Sequence, residues 1–219
     1  MICELLPLRR EEKRDEAREM ELARGYARKV MDKQYDLKTN AEAYKKIFNW
    51  IAQYNLSQAN PEFTPPARGL LLVGAPGRGK TVAAKFISHF CQIHFWTMKW
   101  IDEKWGIDPE ECKQYFDDVF RDLKVPTIID DLGSETMTKH YNIAPVFEFL
   151  LPFMYDRWTT YQKLFVVTTN LAMNGTDAQT TIAGAYGPRI KSRFDEMFDV
   201  VLFQGNDMRR DQWPTAHHA

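Results

Sequence analysis

The residues best suited to do chemistry lie in Gly74-Ala75-Pro76-Gly77-Arg78-Gly79-Lys80-Thr81, which follows the apolar run Leu70-Leu71-Leu72-Val73. Glycines at this spacing let successive backbone N–H groups turn inward and cradle phosphate oxygens, and a helix opening at Lys80, Thr81 and Val82 adds its N-terminal dipole. Lys80 can reach the β- and γ-phosphates of a nucleotide, and the Thr81 hydroxyl can take a position on Mg²⁺. A glycine–proline turn before an unrelated helix would use the same letters without a ligand, but the strand ahead of it favours the phosphate reading. Gly74 to Val82 are therefore expected to bind a nucleoside triphosphate.

A second group follows Lys80 by 50 residues, where Ile128-Ile129-Asp130-Asp131 is an apolar strand ending in two acids. A carboxylate at such a strand end can hold Mg²⁺ directly or through water, the role assigned to Asp130, while Asp131 can act as general base toward an attacking water. A strand merely entering a turn would look the same in isolation. The third group is Val166-Val167-Thr168-Thr169-Asn170, whose polar tip could orient that water through Asn170, or could form an Asx turn capping the next helix. The fourth is Tyr186-Gly187-Pro188-Arg189-Ile190-Lys191-Ser192-Arg193-Phe194. Arg189 and Arg193 are four apart on one helix face. An arginine at a subunit edge can reach a neighbour's γ-phosphate; from spacing alone the pair reads as solvated arginines balancing Asp195 and Glu196.

These groups need a scaffold that brings strand ends together. Hydrophobic residues make up 44% of 219 residues, enough for one large α/β domain with a small appendage. Strands are predicted near 70–73, 95–98, 126–129, 164–168 and 200–203. Helices are predicted over 41–54, from Thr81 to about Ile93, from Asp108 to about Leu123, over 143–161 with breaks at Pro145 and Pro152, and from Pro188. The segment from Ser57 to Arg68, with Pro61, Pro65 and Pro66, reads as a loop. Strands alternating with helices imply a parallel sheet covered on both faces. Residues 9–34 are densely charged, with a thin apolar stripe of Met20, Ala23, Ala27, Val30 and Met31, as in a helix lying on the main domain, an arm docking a partner, or a disordered segment.

A net charge of -1 gives no global basic field, so any nucleic-acid site must be local. Cys3, Cys91 and Cys112 show no metal-binding spacing and suggest reduced, buried thiols and a cytoplasmic setting. No apolar run approaches the roughly 20 residues that span a bilayer, so no membrane association is expected. Trp96, Trp100 and Trp105 could face DNA, though buried packing suits them better.

The order of the four groups resembles that of AAA+ ATPases of the DnaC/IstB type, the bacterial and phage helicase loaders and the transposition helper ATPases. The resemblance runs from Asn40 to Arg210. It implies a P-loop NTPase three-layer α/β fold with a five-stranded parallel sheet, a core over 39–219 and a short N-terminal helical extension over 1–38. A full C-terminal lid domain is not expected, nine residues following Arg210. The resemblance further implies ATP and Mg²⁺ as ligands and hydrolysis that is weak and stimulated by oligomerisation or DNA. It makes Arg193 a finger acting on a neighbouring subunit of a homo-oligomer, Arg189 its companion, and Arg209, or in its place Arg210, a sensor arginine for bound nucleotide. Single-stranded DNA would be contacted after the metal strand by Thr138, Lys139, His140 and Tyr141, a cation, hydroxyl and aromatic set suited to phosphates and bases. The partner would be a replicative helicase, or a transposase on duplex DNA in the alternative reading. A small-molecule kinase would need an arginine-rich lid and fits the paired acids less well. Two departures stand out. Asp131 is shorter than the glutamate common in the family, and Arg78 takes a loop position usual for a smaller residue, pointing to solvent or toward a neighbour.

Overall fold

The computed structural model of the chain describes residues 25, 39–119, 125–134, 149–175, 177 and 180–208. The extension expected over 1–38 lies outside them except for Gly25. Among the described residues the order is α1 (Ala41–Ala59), β1 (Gly69–Val73), α2 (Lys80–Cys91), β2 (His94–Thr97), α3 (Met98–Ile107) and α4 (Pro109–Val119). There follow β3 (Thr127–Leu132), α5 (Leu151–Tyr161), β4 (Phe165–Thr169), α6 (Ile182–Tyr186), α7 (Pro188–Met197) and β5 (Phe198–Leu202). The strands form one sheet in the order β2-β3-β4-β1-β5, every neighbouring pair parallel.

The central strands β1, β3 and β4 are buried on both sides because helices cover both, whereas the edge strands β2 and β5 expose residues such as His94 and Asp199. Side chains alternate across a strand, so Leu70, Leu72, Ile128, Val166 and Val201 pack with Ile47 and Ile51 of α1 and Ala83 and Ile87 of α2. Leu71, Val73, Ile129 and Val167 pack on the other face with Met98 and Ile101 of α3, Phe116 of α4, Met154 of α5 and Phe194 of α7. Leu71 and Leu72 are fully buried, one in each layer; truncating either to alanine costs about 2–5 kcal/mol. This is the expected three-layer α/β fold.

Several boundaries differ from the sequence reading, for local reasons. α1 continues past Tyr54 to Ala59, since Pro61 is the first residue after it that cannot donate, and the Ser57 hydroxyl bonds back to Tyr54 O at 2.7 Å. α3 is an element the sequence reading left out. The Thr97 hydroxyl accepts from Trp100 N at 3.2 Å as its cap, and Met98, Ile101 and Trp105 form its buried face. Asp108 then caps α4, accepting from the N–H groups of Glu110 and Glu111 at 2.9 and 3.0 Å. Pro152 sits in the first turn of α5, where its missing N–H has no helical partner to lose, and so does not break the helix.

Trp105 is buried, and Trp96 and Trp100 pack partly buried against Tyr115 and Phe116. Cys91 and Cys112 are buried free thiols, and burial pushes Cys91 up to about 12. Among the described residues no helix is long and apolar enough to cross a membrane.

Candidate nucleotide site

Parallel strands deliver their C-terminal ends to one edge of the sheet, where ligands of open α/β sheets bind. Three strands do so here: β1 opens into the loop at Gly74, β3 carries Asp130 and Asp131 just before its last residue, Leu132, and β4 is followed by Asn170. The loop is shaped by left-handed glycines, Gly77 at φ 77° and Gly79 at φ 93°, the latter just ahead of α2. A Cβ at Gly77 would lie 1.8 Å from Asp207 Oδ1, and one at Gly74 would lie 2.5 Å from Phe203 O. The segment after β5 therefore lies directly against the loop. It is held there by Met208 N donating to Gly77 O at 3.1 Å. Further along, Asn40 and Gln204 bond reciprocally: Asn40 Nδ2 donates to Gln204 O at 3.3 Å, and Gln204 N donates to Asn40 Oδ1 at 2.8 Å.

Lys80 is buried, at 6% exposure. Its ammonium donates to Gly74 O at 2.7 Å, Ala75 O at 3.1 Å and Asn170 Oδ1 at 2.7 Å. Such contacts make burial of the charge tolerable. The amide of Asn170 donates in turn to Asp131 Oδ1 at 3.1 Å. Lys80, Asn170 and the candidate base Asp131 thus form one line.

A second line runs through Asp130. Its Oδ1 accepts from the hydroxyls of Thr168 at 2.7 Å and Thr81 at 3.2 Å. Burial is the main cause raising its carboxyl above the ordinary carboxylate range; the two hydroxyls and Lys85 act the other way, and the charge of Asp131 adds to the rise. Asp130 and Thr81 supply hard oxygen donors beside the loop, which suits Mg²⁺, an ion bound by one or two carboxylates together with substrate phosphates. Among the described residues no cluster of three or more His, Cys, Asp or Glu side chains is arranged to hold a metal.

The structure thus brings Lys80, Thr81, Asp130, Asp131 and Asn170 together. Arg189 and Arg193 lie elsewhere, on α7. Arg189 is exposed, and the Arg193 guanidinium lies 4.4 Å from the centre of the Tyr155 ring. The acids read as balancing them from spacing are engaged by other groups: Asp195 pairs with Lys191, and Glu196 accepts a hydrogen bond from the Tyr155 hydroxyl at 3.1 Å. Arg78 also departs from expectation, because its guanidinium turns back to Phe203 O of its own chain at 3.4 Å. Arg209, Arg210, Thr138, Lys139, His140 and Tyr141 lie outside the described residues.

Sequence reasoning missed Thr168 as a partner of Asp130, although a hydroxyl at the tip of an otherwise apolar strand was a usable signal. It also missed Asp207 and Met208 against the loop, for which no local signal exists.

A phosphate-cradling loop at the end of β1, beside a strand ending in carboxylates, defines a P-loop nucleotide-binding protein. The profile of the ATPase family associated with various cellular activities (AAA) matches residues 70–197, and the chain belongs to that family. Its fold is similar to that of the DnaC helicase loader, with 20% identity, TM-score 0.53, and 79% of this chain and 94% of that one covered. It is likewise similar to DnaI, with 15% identity, TM-score 0.54 and coverage of 80% and 90%. The replication initiator DnaA, solved with AMPPCP and single-stranded DNA, has the same fold at 11% identity and TM-score 0.52, with coverage of 83% and 50%. A search of curated protein sequences finds no match.

Proposed function

We propose that this chain binds and hydrolyses ATP as a helicase-loader-like replication factor, coupling its nucleotide state to assembly on a replicative helicase and single-stranded DNA. The observation that carries the reading is the convergence of Lys80, Asn170 and Asp131 in one hydrogen-bonded line beside Thr81 and Asp130. Fold similarity to the DnaC helicase loader points to the biological setting.

Lys80 would exchange its loop carbonyls for phosphate oxygens, and loop N–H groups would hold the remaining phosphate charge. Asp130 and Thr81 would hold Mg²⁺, which supplies Lewis-acid neutralisation of phosphate charge. Asp131 would take the proton of the attacking water, and Asn170, already bonded to Asp131, would orient that water. Arg193 would complete the site of a neighbouring subunit and Arg189 would support it, while Arg209 would contact the bound nucleotide. Assembly and hydrolysis would thereby be linked, with ATP favouring the assembled state. Thr138, Lys139, His140 and Tyr141 are the proposed DNA contacts.

The test is hydrolysis by the full chain with and without single-stranded DNA, followed by affinity capture using the Asp131→Asn protein. Phosphate release stimulated by DNA, with a replicative helicase captured, supports the proposal. Capture of a transposase with a preference for duplex DNA would replace it by a transposition-helper role, and phosphate transfer to nucleosides by a kinase role.

A further inference from the structure

The two carboxylates of β3 stand where the sheet is irregular. The β3–β4 pairing changes register between Ile129 and Leu132, and Asp131 sits at φ 66°, a left-handed conformation unfavourable for a residue with a side chain. Two adjacent threonines of β4 span this irregularity with their hydroxyls. Thr169 donates to Leu132 O at 2.6 Å and accepts from Leu171 N at 3.1 Å. Thr168, 1% exposed, donates to Asp130 Oδ1 at 2.7 Å and accepts from Asp131 N at 2.8 Å. Each hydroxyl donates once and accepts once. The two differ in what they touch: Thr169 meets main chain alone, whereas Thr168 holds the side chain of one aspartate and the backbone of the next.

We propose that Thr168 is a positioning residue of the nucleotide site, its single hydroxyl setting the metal-facing carboxylate of Asp130 and the strained backbone that aims Asp131. The inference rests on the nucleotide reading given above. Thr168 touches neither nucleotide nor ion in this role; it acts through the two acids, as groups behind a metal ligand commonly do. Valine has the shape of threonine without the hydroxyl, so it leaves Asp131 N–H unpaired and removes one of the two hydroxyls on Asp130 Oδ1. Serine keeps both bonds.

The test uses the full chain as wild type, T168V, T168S and T169V. A fluorescent ATP analogue is titrated in EDTA and then with increasing Mg²⁺, hydrolysis is followed in parallel, and unfolding is monitored by heating. T168V should raise the Mg²⁺ concentration for half-saturation by about 10–100-fold, the range for groups that orient metal ligands. Its affinity in EDTA should not change, and T168S should behave as wild type. T169V removes a bridge at the same irregularity without touching a carboxylate, so it should lower the melting midpoint and leave the Mg²⁺ response in place. If T168V does not fold, T168A is read in its place.

A Mg²⁺ response in the variant equal to wild type overturns the proposal. So does a T169V protein displaced as far as T168V, which would make both hydroxyls plain pins of the sheet. A wild-type protein that binds no ATP analogue in EDTA or in Mg²⁺ would remove the nucleotide reading itself, whereas one that binds it with an affinity indifferent to Mg²⁺ would overturn this proposal alone; both failures are seen before any variant is compared.

Discussion

The strand-end cluster and the arginine edge of α7 are built in opposite ways. At the strand ends, Lys80, Asp130 and Thr168 are buried, and their polar atoms hold each other or nearby backbone. Such a network is rigid because each member left unpaired would cost about 1–3 kcal/mol. On α7 the polar groups face outward. Arg189 is exposed, and Arg193 is half-buried over Tyr155, its guanidinium held by a ring face. The contrast teaches that this chain gathers its candidate phosphate-site groups into one paired cluster and sets Arg193 at a separate place, over a ring face. The proposed trans arrangement gives that arginine its use.

The sharpest way to break the comparison is at Arg193. If it serves a neighbour's site, Arg193→Ala should lower hydrolysis about 10³-fold or more. Mixing it with a Lys80→Ala protein should recover part of the rate, because each partner supplies the half the other lacks. A wild-type rate for Arg193→Ala would dissolve the two-part site.

Asp131→Asn probes the buried half. It should cost about 10²–10⁴ in hydrolysis, as for loss of a general base, while ATP affinity measured at equilibrium stays near wild type. Equal losses of binding and turnover would show that Asp131 shapes the loop instead.

Gly77→Ala should weaken the loop by about 1–3 kcal/mol through its left-handed backbone, and must also displace Asp207. Heating curves and ATP affinity report it. No change in either would mean that the segment after β5 gives way freely.

The smallest effect belongs to Asp130→Asn, read in EDTA without nucleotide. Burial raises the Asp130 carboxyl in the folded chain above its unfolded value of about 3.9. The folded state then holds its proton more tightly, so this group's stabilising contribution is full below that value and is lost as pH rises through the folded one. Asparagine stays neutral throughout. The variant should therefore melt higher than wild type at neutral pH, and the gap should close as pH falls toward 4. A gap independent of pH would rule out charge burial as its cause.

What the sequence displayed was local, and what it hid depends on pairing across the sheet. Leu70 to Thr81 encodes strand, loop and helix within a dozen residues, and Ile128 to Asp131 marks a strand end by composition alone. The five-stranded parallel sheet follows from the alternation of such units. The missing helix α3 is different: its buried set of Met98, Ile101 and Trp105 has helical spacing, but it begins directly after β2 with no intervening turn residue. The irregularity at Asp131 could not be read, since it exists only in the register of β3 against β4. Arg78 meets Phe203 across 125 positions, a contact set by the placement of β5 beside β1. The DNA contacts and the sensor arginine rest on resemblance.

The reciprocal bonds of Asn40 and Gln204 have a mechanical consequence. They join the residue just ahead of α1 to the segment just after β5, so the two ends of the described core meet at one clasp. A pull exerted through the flanking segments 1–38 and 209–219 would load that clasp before any bond of the sheet. The Met208 N–Gly77 O bond lies between Gln204 and the C-terminal flank, so the same tension would load the cover of the phosphate loop together with the clasp.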